Sequence, residues 1–157
     1  LVAALDRQHP RDLFDARDLL ANEGVDENLR RAFLVYLISH KRPVAELLAC
    51  RPKLLQPEFD TNFAGMTDET VTVADLEAVR TTLVETLVAQ MPASHRNLLL
   101  SVETGQPDWT LVDIPGAADL PAVKWRLQNI QGLDAQRRAA NAAELTHVLT
   151  AAGNAAR

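Results

Sequence analysis

Apolar residues in this chain recur at spacings of three and four and almost never alternate, which restricts it to packing helices. Leu29, Phe33, Tyr36 and Leu37 make one such stripe, and Leu76, Val79, Leu83 and Leu87 make another. A 3.6-residue period puts these side chains on one helix face, whereas a half-buried strand needs a period of two. The expected fold is all-α: a single helical domain of about six to eight helices spanning all 157 residues. With 47% hydrophobic residues the chain has enough apolar surface for a core of its own.

Local punctuation divides the pattern. His9-Pro10 closes a first apolar run and opens a helix over 11–23, which Gly24 ends. Asp26 is the expected N-cap of a helix to about His40, and a short helix follows over Pro43 to Cys50. Residues 51–71 hold Pro52, Pro57 and Gly65 among scattered hydrophobics, which predicts a folded loop packed onto the helices. Thr72-Val73-Ala74-Asp75 has the form of a helix-opening box, leading to about Met91, where Pro92 breaks the helix. Further helices are expected over Ser94 to Glu103 and Pro121 to Gln131, with an irregular connection between them. Asp134 caps a last, Ala-rich helix to about Ala152. Trp109 and Trp125 are expected as packing anchors.

The formal net charge of -5 argues against a surface devoted to nucleic acid, although a local basic patch remains compatible with it. Residues 1–58 carry nine Lys/Arg and nine Asp/Glu, so the acidic excess lies in the rest of the chain. Cys50 is the only cysteine, which excludes an intramolecular disulfide and reads as cytoplasmic. No apolar run reaches the roughly 20 residues that cross a bilayer, so no membrane partner is expected. The four histidines are scattered without metal-ligand spacing, and no metal is assigned to the chain.

The residues with chemical potential crowd the first fifteen. Asp12 and Asp15 are three apart and share a helix face, and Arg11 stands four before Asp15. The ordinary meaning is a helix first turn, in which acids suit the dipole and Arg11 with Asp15 makes a surface pair. The other meaning is an acidic pair with Arg7 and Arg11 placed to meet phosphate oxygens or to orient the acids.

The string Ala3-Ala4-Leu5-Asp6-Arg7, then His9-Pro10, then Arg11-Asp12-Leu13-Phe14-Asp15 resembles a motif of the AbiEii/AbiGii nucleotidyltransferase toxins. The resemblance continues loosely through Ala32 to His40, Phe63-Ala64-Gly65-Met66, Pro107-Asp108-Trp109 and Leu120 to Trp125. It implies an enzyme that transfers a nucleotide from an NTP, with Mg²⁺, to an RNA (tRNA) or protein acceptor, and that is neutralised by a cognate antitoxin. It also implies catalytic roles for Asp12 and Asp15 and phosphate binding by Arg7 and Arg11. The family's Gly-Ser turn and D-x-D pair are not in this sequence, and a family Lys would fall immediately before Leu1. The chain is therefore expected to be the C-terminal helical portion of a two-part enzyme, inactive by itself and without bound cofactor, with residues 1–23 carrying the motif. A start after Lys and an end at Arg157 suit a proteolytic fragment; a designed boundary is the other origin.

A second basic group, His40, Lys41, Arg42, Arg51 and Lys53, is a candidate RNA contact or a solvated helix end. The competing functional reading is a helical protein-interaction domain whose arginines and aspartates are structural.

Overall fold

The computed structural model describes residues 1–155. Nine α-helices form among the described residues: α1 (Val2–Asp6), α2 (Pro10–Asn22), α3 (Glu27–Ile38), α4 (Val44–Ala49), α5 (Gln56–Asn62), α6 (Val73–Val84), α7 (Ala93–Glu103), α8 (Pro121–Gln131) and α9 (Ala135–Ala155). No strand occurs among them. Arg157, on which the expected tryptic end rests, lies outside the described residues.

The helix ends form where local chemistry supplies partners for the free N–H groups of a first turn. The Asp26 carboxylate accepts from the Leu29 N–H at 2.7 Å, and Asp134 does the same for Arg137 at 2.7 Å. Thr72 and Asp75 make a reciprocal box: the Thr72 N–H donates to Asp75 Oδ2 at 2.8 Å and the Asp75 N–H donates to Thr72 Oγ1 at 3.2 Å. Gly24 leaves α2 with φ of +69°, a conformation that costs glycine little.

One core unites the helices. α2 packs along α6, while α9 lies across α4, α7 and the end of α6. Leu13 of α2, Leu37 of α3, Leu47 of α4, Leu76 and Leu83 of α6 and Leu98 of α7 are fully buried, and α9 adds Leu145 and Leu149.

Four expectations are corrected. Tyr36 does not belong to the buried stripe of α3, which is Phe33, Leu34, Leu37 and Ile38, and is 70% exposed. Residues 51–71 are packed, with Leu55 and Phe63 buried, but they contain the helix α5. Pro57 reads as a breaker, yet it occupies the first turn of α5, where its missing N–H would have no partner anyway. The helix expected to run to Met91 instead widens after Val84 into a π turn, Glu85–Ala89, in which the Gln90 N–H reaches back to Glu85 at 3.0 Å. The extra residue shifts the buried face so that Leu87, Val88 and Met91 all enter the core. Trp125 is not a packing anchor, being 52% exposed. The inward face of α8 is Val123, Arg126 and Ile130, and Trp125 falls beside it. Trp109 does pack against the core.

A charged pair is sealed between α7 and α8. Arg126 Nη2 donates to Glu103 Oε1 at 3.1 Å, and the two residues are 8% and 1% exposed. Removing one partner of such a pair strands the other charge. Arg126→Met should therefore lower the unfolding free energy by about 3–5 kcal/mol, and Glu103→Leu in the same chain should recover most of it in urea unfolding.

The box on α6 gives a pH-dependent expectation. Hydrogen bonds from the Thr72 side chain and backbone hold the Asp75 carboxyl below its ordinary range. A depressed folded value means stabilisation that is present above the unfolded carboxyl range and lost as pH falls through the folded value. Asp75→Asn should thus melt lower than the parent at pH 7, with the gap closing in acid. Thr72→Ala should cost roughly 1 kcal/mol.

Candidate functional site

The motif sits on a sharp reversal between α1 and α2. Pro10 disfavours helical backbone at the residue before it, and His9 is extended, with φ of -71° and ψ of 141°. Its Nδ1 accepts from the Arg11 N–H at 3.2 Å and so caps α2. Between this cap and the end of α1 stands Gln8, with φ of +54° and only 3% of its surface exposed. Left-handed backbone is normally left to glycine after a helix end. Here the side chain explains the exception: its amide donates to Arg51 O at 2.9 Å and Leu5 O at 3.4 Å, and accepts from the Lys53 N–H at 3.0 Å and Arg80 Nη1 at 3.1 Å. Arg80 Nη1 also donates to Lys53 O at 2.9 Å.

The reversal turns Arg7 toward α2. Its Nη2 donates to Asp12 Oδ1 at 2.8 Å, an ion pair across the break. Asp12 Oδ2 is buried and has no hydrogen-bond partner among the described residues. Asp12 and Asp15 face one concavity of about 250 Å³, floored by Ala3, Ala4, Ala16 and Leu19. Leu1 borders the same space. The two aspartates thus share a face as expected, but the pair of Arg11 with Asp15 does not form. Arg11 turns instead to Met66, with Nη2 at 3.4 Å from its Sδ, and lines a neighbouring depression with His9, Thr61 and Asn62. The reason is the α5 region, which brings Met66 over the start of α2 and which the sequence reading treated as loop. Asp15 is exposed, without an ion-pair partner among the described residues.

The second basic group is brought together but largely committed. Arg42 donates to Asp6 Oδ1 and to Glu46 at 2.9 Å. His40 stands 3.7 Å from Asp6. Lys53 Nζ donates to Asp6 O at 2.8 Å and Arg7 O at 3.3 Å, placing a cation on the carbonyl end of α1. Arg51 and Lys41 are exposed, with no ion pair among the described residues. Arg42, Arg51 and Lys53 border a concavity of about 250 Å³ that also holds Asp6, Glu46 and Glu144, so its charge is mixed.

Sequence reasoning did not find Gln8, Arg80 or Asp6. Gln8 carries one local signal, its place between a helix end and an X-Pro step, while Arg80 shares its helix face with Leu76, Val79 and Leu83. Among the described residues no three His, Cys, Asp or Glu side chains converge. Mg²⁺ takes one or two carboxylates together with waters and substrate phosphates. Arg7 already holds one of the four oxygens of Asp12 and Asp15.

The family described as nucleotidyl transferase AbiEii toxin, type IV TA system, matches residues 1–129, from the motif through nearly all of α8. The chain belongs to the AbiEii family. No curated protein and no solved structure matches it. Family membership makes it a nucleotidyltransferase toxin of a type IV toxin–antitoxin system, with a cognate antitoxin implied. No helix among the described residues is long and apolar enough to cross a membrane.

In this AbiEii chain the Arg7 end of the pair is accessible, its side chain 65% exposed against 18% for Asp12. Solvent screens such pairs, so Arg7→Ala should change the unfolding free energy by less than about 1 kcal/mol. Urea unfolding checks this and separates the pair's functional weight from its structural one.

Proposed function

We propose that this chain forms the helical wall of an AbiEii nucleotidyltransferase active site, transferring a nucleotide from an NTP to an RNA, such as tRNA, or to a protein acceptor. The observation that carries the reading is Asp12: one carboxylate oxygen is clamped by Arg7 and the other is buried without a partner beside Asp15. An unsatisfied buried acceptor costs free energy, which a ligand, a water or a reacting group offsets by completing it; Glu103 Oε2 is also without a partner, but it is sealed in the core, whereas Asp12 borders a concavity.

In this picture the acceptor hydroxyl meets Asp12 Oδ2, which takes its proton as the hydroxyl oxygen bonds to the α-phosphorus and pyrophosphate leaves. Asp15 lies beside it as the second acid. Arg7 and Arg11 stand on the two sides of the α2 start, where they meet phosphate oxygens. The family's phosphate-holding turn and metal-binding carboxylates belong to a separate N-terminal half, which would also contribute the Mg²⁺ ligands. A lysine just before Leu1 would stand close to Asp12 and Asp15, because Leu1 lines their concavity. Lys41 and Arg51, with Arg42 and Lys53 around Asp6, are the proposed RNA-contacting cations. The competing reading is a helical protein-interaction domain in which the Arg7–Asp12 pair only braces the break.

Full-length protein assayed with the four α-labelled NTPs, Mg²⁺ and total tRNA separates the two readings. Asp12→Ala should lower transfer by about 10²-fold or more, and Asp15→Ala should also lower it, both with parental helicity and melting. Undiminished transfer by the Asp12 variant would leave the interaction-domain reading standing.

A further inference from the structure

We infer that Gln8 and Arg80 are positioning residues for nucleotidyl transfer, holding the α1–α2 reversal so that Arg7 and Asp12 face the reacting groups. The inference rests on the proposed role of Asp12 and extends it to two residues that touch neither acid.

Gln8 follows Arg7 directly, and its backbone sets the direction in which α2, with Asp12, leaves the end of α1. A glycine at this position would permit the left-handed conformation but would not select it. Gln8 selects it through its side chain, whose two donor and two acceptor positions all find partners. The Lys53 strand of this network reaches Arg7 a second way, because Lys53 Nζ donates to the Arg7 carbonyl at 3.3 Å. Arg80 anchors both routes to α6 by donating to Gln8 Oε1 and to Lys53 O. The guanidinium is itself held near Glu77, at 3.6 Å.

A buried polar cluster of this kind is a poor device for stability alone, since apolar side chains of similar size serve as well. What a fully satisfied network adds is a single geometry. Residues in sparsely populated backbone regions concentrate where geometry is functional. Gln8 combines the two features, one residue from Arg7 and four from Asp12.

The test is steady-state kinetics of full-length protein with α-labelled NTPs, Mg²⁺ and total tRNA. Each variant is assayed at a temperature where its far-UV circular dichroism equals that of the parent. Gln8→Gly and Arg80→Met should each lower kcat on the order of tenfold or more, with the KM for NTP within about twofold of the parent. Gln8→Asn, which tolerates left-handed backbone but is too short to bridge, should behave like Gln8→Gly. Arg80→Lys should recover part of the loss in Arg80→Met, and the Gln8→Gly/Arg80→Met chain should be little worse than either single variant. Parental kcat in the single variants overturns the inference. So does a loss that simply adds in the double variant, or a lysine no better than methionine at position 80. Full transfer by Asp12→Ala would instead remove the underlying reading, and the positioning role with it.

Discussion

The side-chain amide of Gln8 joins three parts of the chain at one buried point. The end of α1, the stretch after α4 and the middle of α6 are brought together by its contacts with Leu5, Arg51, Lys53 and Arg80. The left-handed backbone at Gln8 is unfavourable by about 1–2 kcal/mol, and an amide buried without partners would cost more. Four hydrogen bonds offset both terms together, so the conformation and the network exist only in each other's presence. Cys50, the second non-glycine residue with positive φ, lies against the same place. Its thiol contacts the Leu5 carbonyl at 3.7 Å, and burial pushes that thiol up, against the pull of Arg80 and Lys53. It is a packing group, not a nucleophile.

Charge around this junction is arranged with the same economy of free groups. Asp6 gathers Arg42 and His40, and Lys53 covers the α1 carbonyls beside it. A stretch that reads as a run of cations becomes a nearly neutral collar, and only Lys41 and Arg51 keep their charge for solvent. Arg17 is drawn in similarly. It lies over the Phe14 ring at 4.2 Å and binds Asp18 and Glu69, which ties the loop before α6 to the back of α2. Arg7 differs in that its partner, Asp12, has a second oxygen that is buried without a partner.

The difference between legible and illegible features follows the range of the interaction that decides them. Helix starts at Glu27 and Val73 are written in the few residues that make each cap, so Asp26 and the Thr72–Asp75 box locate them from sequence. The pairing of Asp12 with Asp15 on one face is equally local, being a consequence of helical spacing. The partners of those acids are not. Arg7 reaches Asp12 only because Gln8 reverses the chain, and Gln8 does so through residues 43, 45 and 72 positions away. Arg11 leaves Asp15 for Met66, which lies 55 positions on. α5 was hidden because a seven-residue helix with Pro57 in its first turn carries a breaker where a starter is meant. The π turn was hidden because its extra residue is defined by what α9 packs against.

That last dependence explains why α9 belongs to the domain although the family match stops at residue 129. A π turn misaligns the carbonyls at its end, and buried carbonyls need donors. Arg96 of α7 provides them, with Nε to Met91 O at 2.9 Å and Nη2 to Ala89 O at 2.7 Å. The same guanidinium reaches Leu149 O of α9 at 3.5 Å. Leu145 and Leu149 then close the core over the widened turn. Since α6 also carries Arg80, little more than a turn before the widened stretch, the helix that packs on that stretch bears, through α6, on the Gln8 junction. The Ala-rich helix therefore contributes to the site by fixing the element from which the motif is held, while Asp12 and Asp15 remain on α2.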